Sequence, residues 1–304
     1  MIKALLDELS YSFEGKKITR YLRNRGRLRH LISQLITQRL KRRVKKLIDG
    51  VSSLPKAGKY NLPAISLTSY PPRYNSLPLV LLNLLEQSKL PPKIYVWIAQ
   101  DDYNLLDCQL IDLFQSSIVE FHKTKDYGCH KKWIDLVNEN DKPFVICDDD
   151  IFYPKHWYQS LIDSDDGISY IGHRCHSINM SSNLEILPYS EWDKDIQMLG
   201  YSSHRLFPVG CGGTLIYPDR ISSNFKDWSL ISKLCPKADD VWLKLAHLRS
   251  EIPCKKSLYS FPCLEYTGSQ KISLMQTNVD AGYNDFQIKN CIEELDIDLK
   301  QYFF

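Results

Sequence analysis

Between Ala64 and Asp150 the chain alternates, four times over, a short apolar run with a segment of helical periodicity, and the fourth run empties directly into three carboxylates. The runs are Ala64–Thr68 (AISLT), Lys93–Ala99 (KIYVWIA), Ile118–His122 and Pro143–Cys147 (PFVIC). Helices are predicted over about Leu77–Gln87, Leu105–Phe114 and Lys131–Asn138. Strands that alternate with helices at this rhythm predict a parallel, Rossmann-like α/β sheet covered on both faces. Ligands of such sheets bind outside the carboxyl ends of the strands, so the residues just after each strand are the informative ones.

Three of those ends are polar: Thr68-Ser69, Gln100-Asp101-Asp102 and Asp148-Asp149-Asp150. In extended backbone Asp148 and Asp150 project to one side, about 6–7 Å apart, and Asp149 points away. Two such carboxylates stay ionised cheaply only beside a cation, and a hard divalent ion, Mg²⁺ or Mn²⁺, that also bridges substrate phosphates meets that need. The alternative is an Asp-rich turn capping a helix that starts at Pro154.

Residues 1–58 hold 15 of the chain's 39 Lys and Arg but 4 of its 36 Asp and Glu, so a basic arm joins an acidic body although the whole chain carries only +3. From Leu28 to Ile48 the apolar residues fall on one helical stripe, with Arg27, Arg29, Arg39, Lys41, Arg42, Arg43, Lys45 and Lys46 around it. That pattern suits an anionic membrane surface, with the stripe in the acyl boundary, or else a stripe packed on the body with its charges solvated. No fingerprint of a nucleic-acid-reading motif accompanies it. The chain lacks a secretory signal and a spanning segment of about 20 apolar residues. Its nine Cys include no C-x-x-C pair, which fits a reducing compartment. The expectation is a cytoplasmic protein, or one lying peripherally on the cytoplasmic face of the inner membrane. The expected domains are the arm (1–58), a catalytic body (59–268) and a C-terminal helical tail (269–304).

Ile65–Arg73 (ISLTSYPPR), Tyr127-Gly128 with Lys131-Lys132, the Cys147–Pro154 block (CDDDIFYP), Gly212-Gly213-Thr214 and Ala238–Trp242 (ADDVW) resemble nucleotide-sugar glycosyltransferases of the GT-A fold. The similarity spans about residues 60–265 and points most to bacterial family-2-like enzymes that build capsule, lipopolysaccharide and O-antigen sugars. The resemblance implies a GT-A sheet and a UDP- or GDP-sugar donor whose nucleoside is held by Thr68, Arg73 and Asp101 or Asp102. It implies a D-x-D motif in which Asp148 and Asp149 contact the donor and Asp148 and Asp150 hold Mn²⁺ or Mg²⁺. It also implies a catalytic base at Asp239-Asp240, as in inverting members. The second-strand loop reads QDDYN where the family has D-D-[GA]-S. A saccharide or lipid-linked acceptor in cell-surface polysaccharide synthesis follows from the same likeness.

Asp239-Asp240 also reads as the start of a helix over Val241–His247, where carboxylates meet the positive end of the helix dipole. Lys131 and Lys132 read either as point-charge contacts to a diphosphate or as solvated residues at a helix start. Gly210–Thr214 lacks the G-K-[ST] ending of a phosphate loop and predicts a tight turn that lets a sugar approach the backbone. His173, Cys175 and His176 read as ordinary buried or surface side chains; Trp157, Trp192, Trp228 and Trp242 read as core, with Trp192, in the stretch Asn183–Gly200, the one with a sugar-stacking alternative. A two-metal phosphohydrolase or nuclease, and a non-catalytic membrane- or nucleic-acid-binding module, are the other classes that clustered carboxylates allow.

Overall fold

The computed structural model describes residues 22, 25–56, 61–139, 141–269 and 282–303. The four predicted strands are β1 Ala64–Thr68, β2 Ile94–Ala99, β3 Val119–Thr124 and β4 Phe144–Ile146. The remaining strands are β5 Ile151–Phe152, β6 Tyr170–Gly172, β7 Cys175–Ser177, β8 Ser202–Ser203, β9 Leu206–Pro208, β10 Thr214–Ile216, β11 Cys254–Lys256 and β12 Leu264–Glu265. Helices are α1 Gly26–Ile48, α2 Leu77–Leu85, α3 Cys108–Gln115, α4 Ile134–Glu139, α5 Trp157–Asp163, α6 Trp228–Leu234, α7 Asp239–Arg249, α8 Tyr283–Glu294 and α9 Lys300–Phe303.

Eight strands form one sheet in the order β3-β2-β1-β4-β10-β6-β11-β8. β1 to β4 pair in parallel, β6 and β11 share their direction, and β10 and β8 run against it. The α/β class, with a mostly parallel sheet flanked by helices, is the one predicted. Side chains alternate across the pleat, which divides the core in two. Ile65, Leu67, Val96, Val145 and Leu215 face one apolar cluster with α1, α2 and α5. Trp97, Phe144, Ile146, Tyr170 and Ile216 face the other with α4, α6 and α7.

α1 takes the second of the two readings of its stripe, packing on the body. Its stripe, Ile32, Ile36, Leu40, Val44 and Leu47, is buried in the same cluster as the sheet. Arg29 donates to the Cys263 carbonyl at 2.7 Å, Arg43 pairs with Glu86 at 2.7 Å, and the Thr267 amide donates to Thr37 at 3.1 Å. Aliphatic side chains gain about 1.5–3 kcal/mol each from such burial, so the stripe serves the fold and is not free to enter a bilayer. Arg25, Arg27, Arg39, Lys41, Arg42, Lys45 and Lys46 stay exposed along the outer face. The expected boundary near residue 58, and residues 1–21, lie outside the described residues. At the other end Ile288, Cys291, Ile297 and Phe303 are buried in the second cluster, so the described part of the tail packs on the core. No described helix is long and apolar enough to cross a membrane.

Candidate functional site

β4 stops at Ile146, and the chain turns at Asp149 and Asp150 before strand alternation reaches the aspartates. The three carboxylates therefore divide differently from the extended-strand expectation. Asp148 accepts from Lys132 Nζ at 2.7 Å. Asp150 lies 2.5 Å from Arg73 Nη1, and Asp149, predicted to point away, turns to the same guanidinium at 3.6 Å. Ser69 Oγ, one residue past β1, donates to Asp149 at 2.5 Å.

Lys132 is the hinge of the arrangement. Its side chain is 4% exposed, and its Nζ lies 2.9 Å from Asp239 Oδ2 as well as 2.7 Å from Asp148. The residue is fixed from the sheet: Ser66 Oγ, buried on β1, donates to the Lys132 carbonyl at 2.6 Å and accepts from Trp97 Nε1 at 3.0 Å. Two residues earlier, His130 donates through Nε2 to the Cys235 carbonyl at 2.8 Å, and burial holds its pKa near 4, so it is neutral. Burial alone would lower the pKa of Lys132, but Asp148 and Asp239 more than reverse this and keep it charged. Arg73 is set by the short 3-10 turn Pro71–Arg73, where proline pre-fixes φ, and is buried at 6%.

Asp239 and Asp240 open α7, with Ala238 as the capping residue, so both carboxylates sit at the positive end of the helix dipole. Asp239 is engaged by Lys132. Asp240 is pushed up to about 7, by burial first and by Asp239 second, against the pull of Lys132. Asp149 is likewise raised to about 7 by burial and by Asp150, against Arg73.

Gly210 supplies the floor. A methyl group added there would lie 3.5 Å from Lys132 Nζ, 3.9 Å from Asp148 Oδ1 and 4.0 Å from Asp239 Oδ2. The predicted tight turn is there, as the 3-10 turn Gly210–Gly212, and its other glycines are also required by packing within the chain. A Cβ at Gly213, where φ is +84°, would lie 2.4 Å from the Trp157 ring, and one at Gly212 2.7 Å from the Arg174 backbone. The close approach at those two is by the chain's own side chains and backbone.

The structure thus brings together Arg73, Lys132, Asp148, Asp149, Asp150 and Asp239, with Asp240 beside them. It does not bring in the rest. Thr68 Oγ1 donates to the Trp97 carbonyl at 2.8 Å, within the sheet. Lys131 pairs with Asp126 at 2.6 Å. Asp101 is exposed; Asp102 begins the 3-10 turn Tyr103–Leu105, and its carbonyl accepts from Tyr74 at 3.1 Å. Trp192 is 4% exposed and donates to the Leu187 carbonyl at 2.8 Å, so it takes the core reading and not the sugar-stacking alternative. His173, Cys175 and His176 are buried, as read. Sequence reasoning missed Ser69 and Tyr153, whose hydroxyl accepts from the Asp148 amide at 2.9 Å. Ser69 was signalled only by following a strand end, and Tyr153 by nothing local.

Among the described residues no group of three or more His, Cys, Asp or Glu is arranged to hold a metal ion. Asp148 and Asp150 offer the hard oxygens that Mg²⁺ or Mn²⁺ takes, each already beside a cation of the chain. They fit an ion that draws most of its shell from phosphate and water, not one held in a protein cage.

No protein-family model and no curated protein matches the sequence. Among solved structures the chain is similar to a mannosyltransferase from Pyrobaculum calidifontis in complex with GDP-Man and Mn²⁺, at TM-score 0.45 and 11% identity over 88% of this chain and 76% of that one. It is similar to a 4-diphosphocytidyl-2C-methyl-D-erythritol synthase from Anaerococcus prevotii, at 0.39 and 10% over 79% and 98%. A UDP-glucose pyrophosphorylase complexed with UDP-glucose follows at 0.34 and 10% over 78% and 99%. Identities near a tenth and scores below 0.5 leave the function of this chain to its own residues.

Proposed function

We propose that the chain is a glycosyltransferase that takes a sugar from a nucleotide-sugar donor, a UDP- or GDP-sugar, to a saccharide or lipid-linked saccharide acceptor in cell-surface polysaccharide synthesis. The observation that carries this reading is the pair of buried cations, Lys132 and Arg73, interleaved with Asp148, Asp149, Asp150 and Asp239 beside the carboxyl ends of β1 and β4. A leaving nucleoside diphosphate needs fixed positive charge where its own charge develops, and both cations are already oriented in a largely water-excluded rim. A divalent ion held by Asp148 and Asp150 with phosphate oxygens would add positive charge to that leaving group. Lys132 and Arg73 hold the carboxylates in register and face the diphosphate. Gly210, having no side chain, leaves the rim open above Lys132.

Inversion requires a carboxylate that accepts the proton of the acceptor hydroxyl. Asp240 fits that role, because a base is most effective when its pKa lies near the working pH. Asp239, engaged by Lys132, acts as its positioning partner. The exposed cations of α1 extend the proposal to a peripheral position on an anionic membrane, where a lipid-linked acceptor resides.

Thermal shift with a panel of nucleotides and nucleotide sugars, with and without Mn²⁺, tests the donor reading. One nucleoside diphosphate and its sugar are expected to raise the midpoint, more so with Mn²⁺, since only ligands of the native state do so. Lys132→Gln is expected to abolish the shift. Silence across the whole panel sinks the reading.

A further inference from the structure

The turn that forms the floor of the rim carries a thiol that the transfer chemistry does not use. Cys211 sits between Gly210, beside the ion cluster, and Gly212, whose carbonyl accepts from Trp157 Nε1 at 2.7 Å. Its Sγ lies 3.9 Å from Cys263 Sγ, on a segment 52 residues further along the chain. Arg174 Nη1 donates to Cys211 Sγ at 3.3 Å. Cys211 is half-buried and Cys263 is 8% exposed, whereas five of the other cysteines are buried, Cys129 is half-buried and Cys108 is exposed. Two sulfurs this close, one of them reachable and faced by a guanidinium, form a built thiol pair and not a chance surface cysteine.

We propose that Cys211 and Cys263 are an oxidisable thiol pair that reacts with small-molecule disulfides and, on closing, displaces the Gly210 turn beside the Lys132 cluster. The reacting order follows from access and charge: Cys211 is half-buried and faced by the Arg174 guanidinium, whereas Cys263 is buried. In the same sense, the hydrogen bond shared with Cys263 lowers the pKa of Cys211, against burial and with the help of Arg174, while Cys263 is raised. Cys211 is therefore the nucleophile and Cys263 the resolving thiol. The Cys211 thiolate attacks one sulfur of the small disulfide, forming a mixed disulfide and expelling one thiolate, which takes up a proton. Cys263 then loses its proton to solvent and attacks the Cys211 sulfur, expelling the second small thiolate. Two protein thiols and one disulfide become one protein disulfide and two small thiols. A disulfide needs its sulfurs about 2.05 Å apart, so closure must shorten the present gap by nearly half. Cys263 precedes β12, which is paired to β5, whereas Cys211 lies in a turn, so the turn gives.

The thiol chemistry stands on the sulfur geometry and the Arg174 contact; any effect on donor binding rests on the function proposed above. Full-length reduced protein is treated with oxidised glutathione, digested without reduction and mapped by mass spectrometry. A Cys211–Cys263 crosslink is expected before any modification of Cys129, the other half-buried thiol, and dithiothreitol is expected to reverse it. Cys263→Ser is expected to stop at one glutathione on Cys211, and Cys211→Ser to leave Cys263 unmodified. Amide hydrogen exchange is expected to rise over residues 210–214 on crosslinking and to stay unchanged in β1. Label confined to Cys108 or Cys129, or a crosslink with unchanged exchange at 210–214, overturns the proposal. Failure of the reduced protein to bind any nucleotide would overturn the donor reading while leaving the crosslink result intact.

Discussion

Lys132 is held between two carboxylates that no water replaces easily. Removing one partner of a buried ion pair leaves charge uncompensated, so Lys132→Ala is expected to cost about 3–5 kcal/mol in urea unfolding. Asp240 carries a different liability. Its pKa of about 7 in the folded chain stands above the ordinary carboxyl value of about 4, so the folded state binds that proton more tightly. The resulting stabilisation is complete below the unfolded pKa and is lost as pH rises through about 7; Asp149, raised in the same sense, adds to it. Asp240→Asn is therefore expected to flatten the decline in stability between about pH 4 and 7, read from chemical denaturation at each pH. The same substitution is expected to lower kcat by about 10²–10⁴-fold with donor affinity unchanged, and wild-type kcat/KM is expected to climb through pH 7. An Asp240→Asn variant that transfers at the wild-type rate would remove this residue as the base. At this scale the sequence was legible in residue type and not in direction: the aspartate block was found, but strand alternation was carried too far past Ile146, so Asp149 was assigned to the wrong side.

α1 shows how one periodic stripe supports two opposite readings. Spacing gave the helix and its apolar face, yet only a partner surface decides whether that face meets lipid or protein, and the partner is α2 and β12, distant in sequence. Leu40→Ala is expected to destabilise the whole fold by about 2–5 kcal/mol, which a detached arm would not do. The exposed ridge is separable from the stripe. Changing Lys41, Arg42, Lys45 and Lys46 together to Glu is expected to abolish co-sedimentation with phosphatidylserine-containing vesicles while leaving the unfolding midpoint within a few degrees. Binding that survives this change, or that is equally strong on neutral vesicles or in high salt, would remove the membrane role. The glycine turn teaches the same lesson in reverse. Its flexibility was legible, but Trp157 as the neighbour was not, and Gly213→Ala is expected to destabilise because a Cβ meets that ring at a positive φ.

Across the whole molecule, one sheet separates two apolar clusters, and the first and last described helices each belong to one of them. The parallel half, β1 to β4, was legible because buried parallel strands read as short apolar runs. The later strands were not, since β6, β8, β10 and β11 are two or three residues long and too brief for any period to register. Because β10 runs in reverse, the turn before it arrives at the same rim as the end of β4, with Thr214 paired to Ile146. That arrangement also sets an order in time. Lys132 finds Asp148 only 16 residues away, so this half of the bridge can form as soon as the first four strands meet. Asp239 arrives more than a hundred residues after Lys132, and closing so long a loop is slow. A chain still emerging during synthesis therefore holds an unfinished rim with its cation paired to one carboxylate until α7 docks.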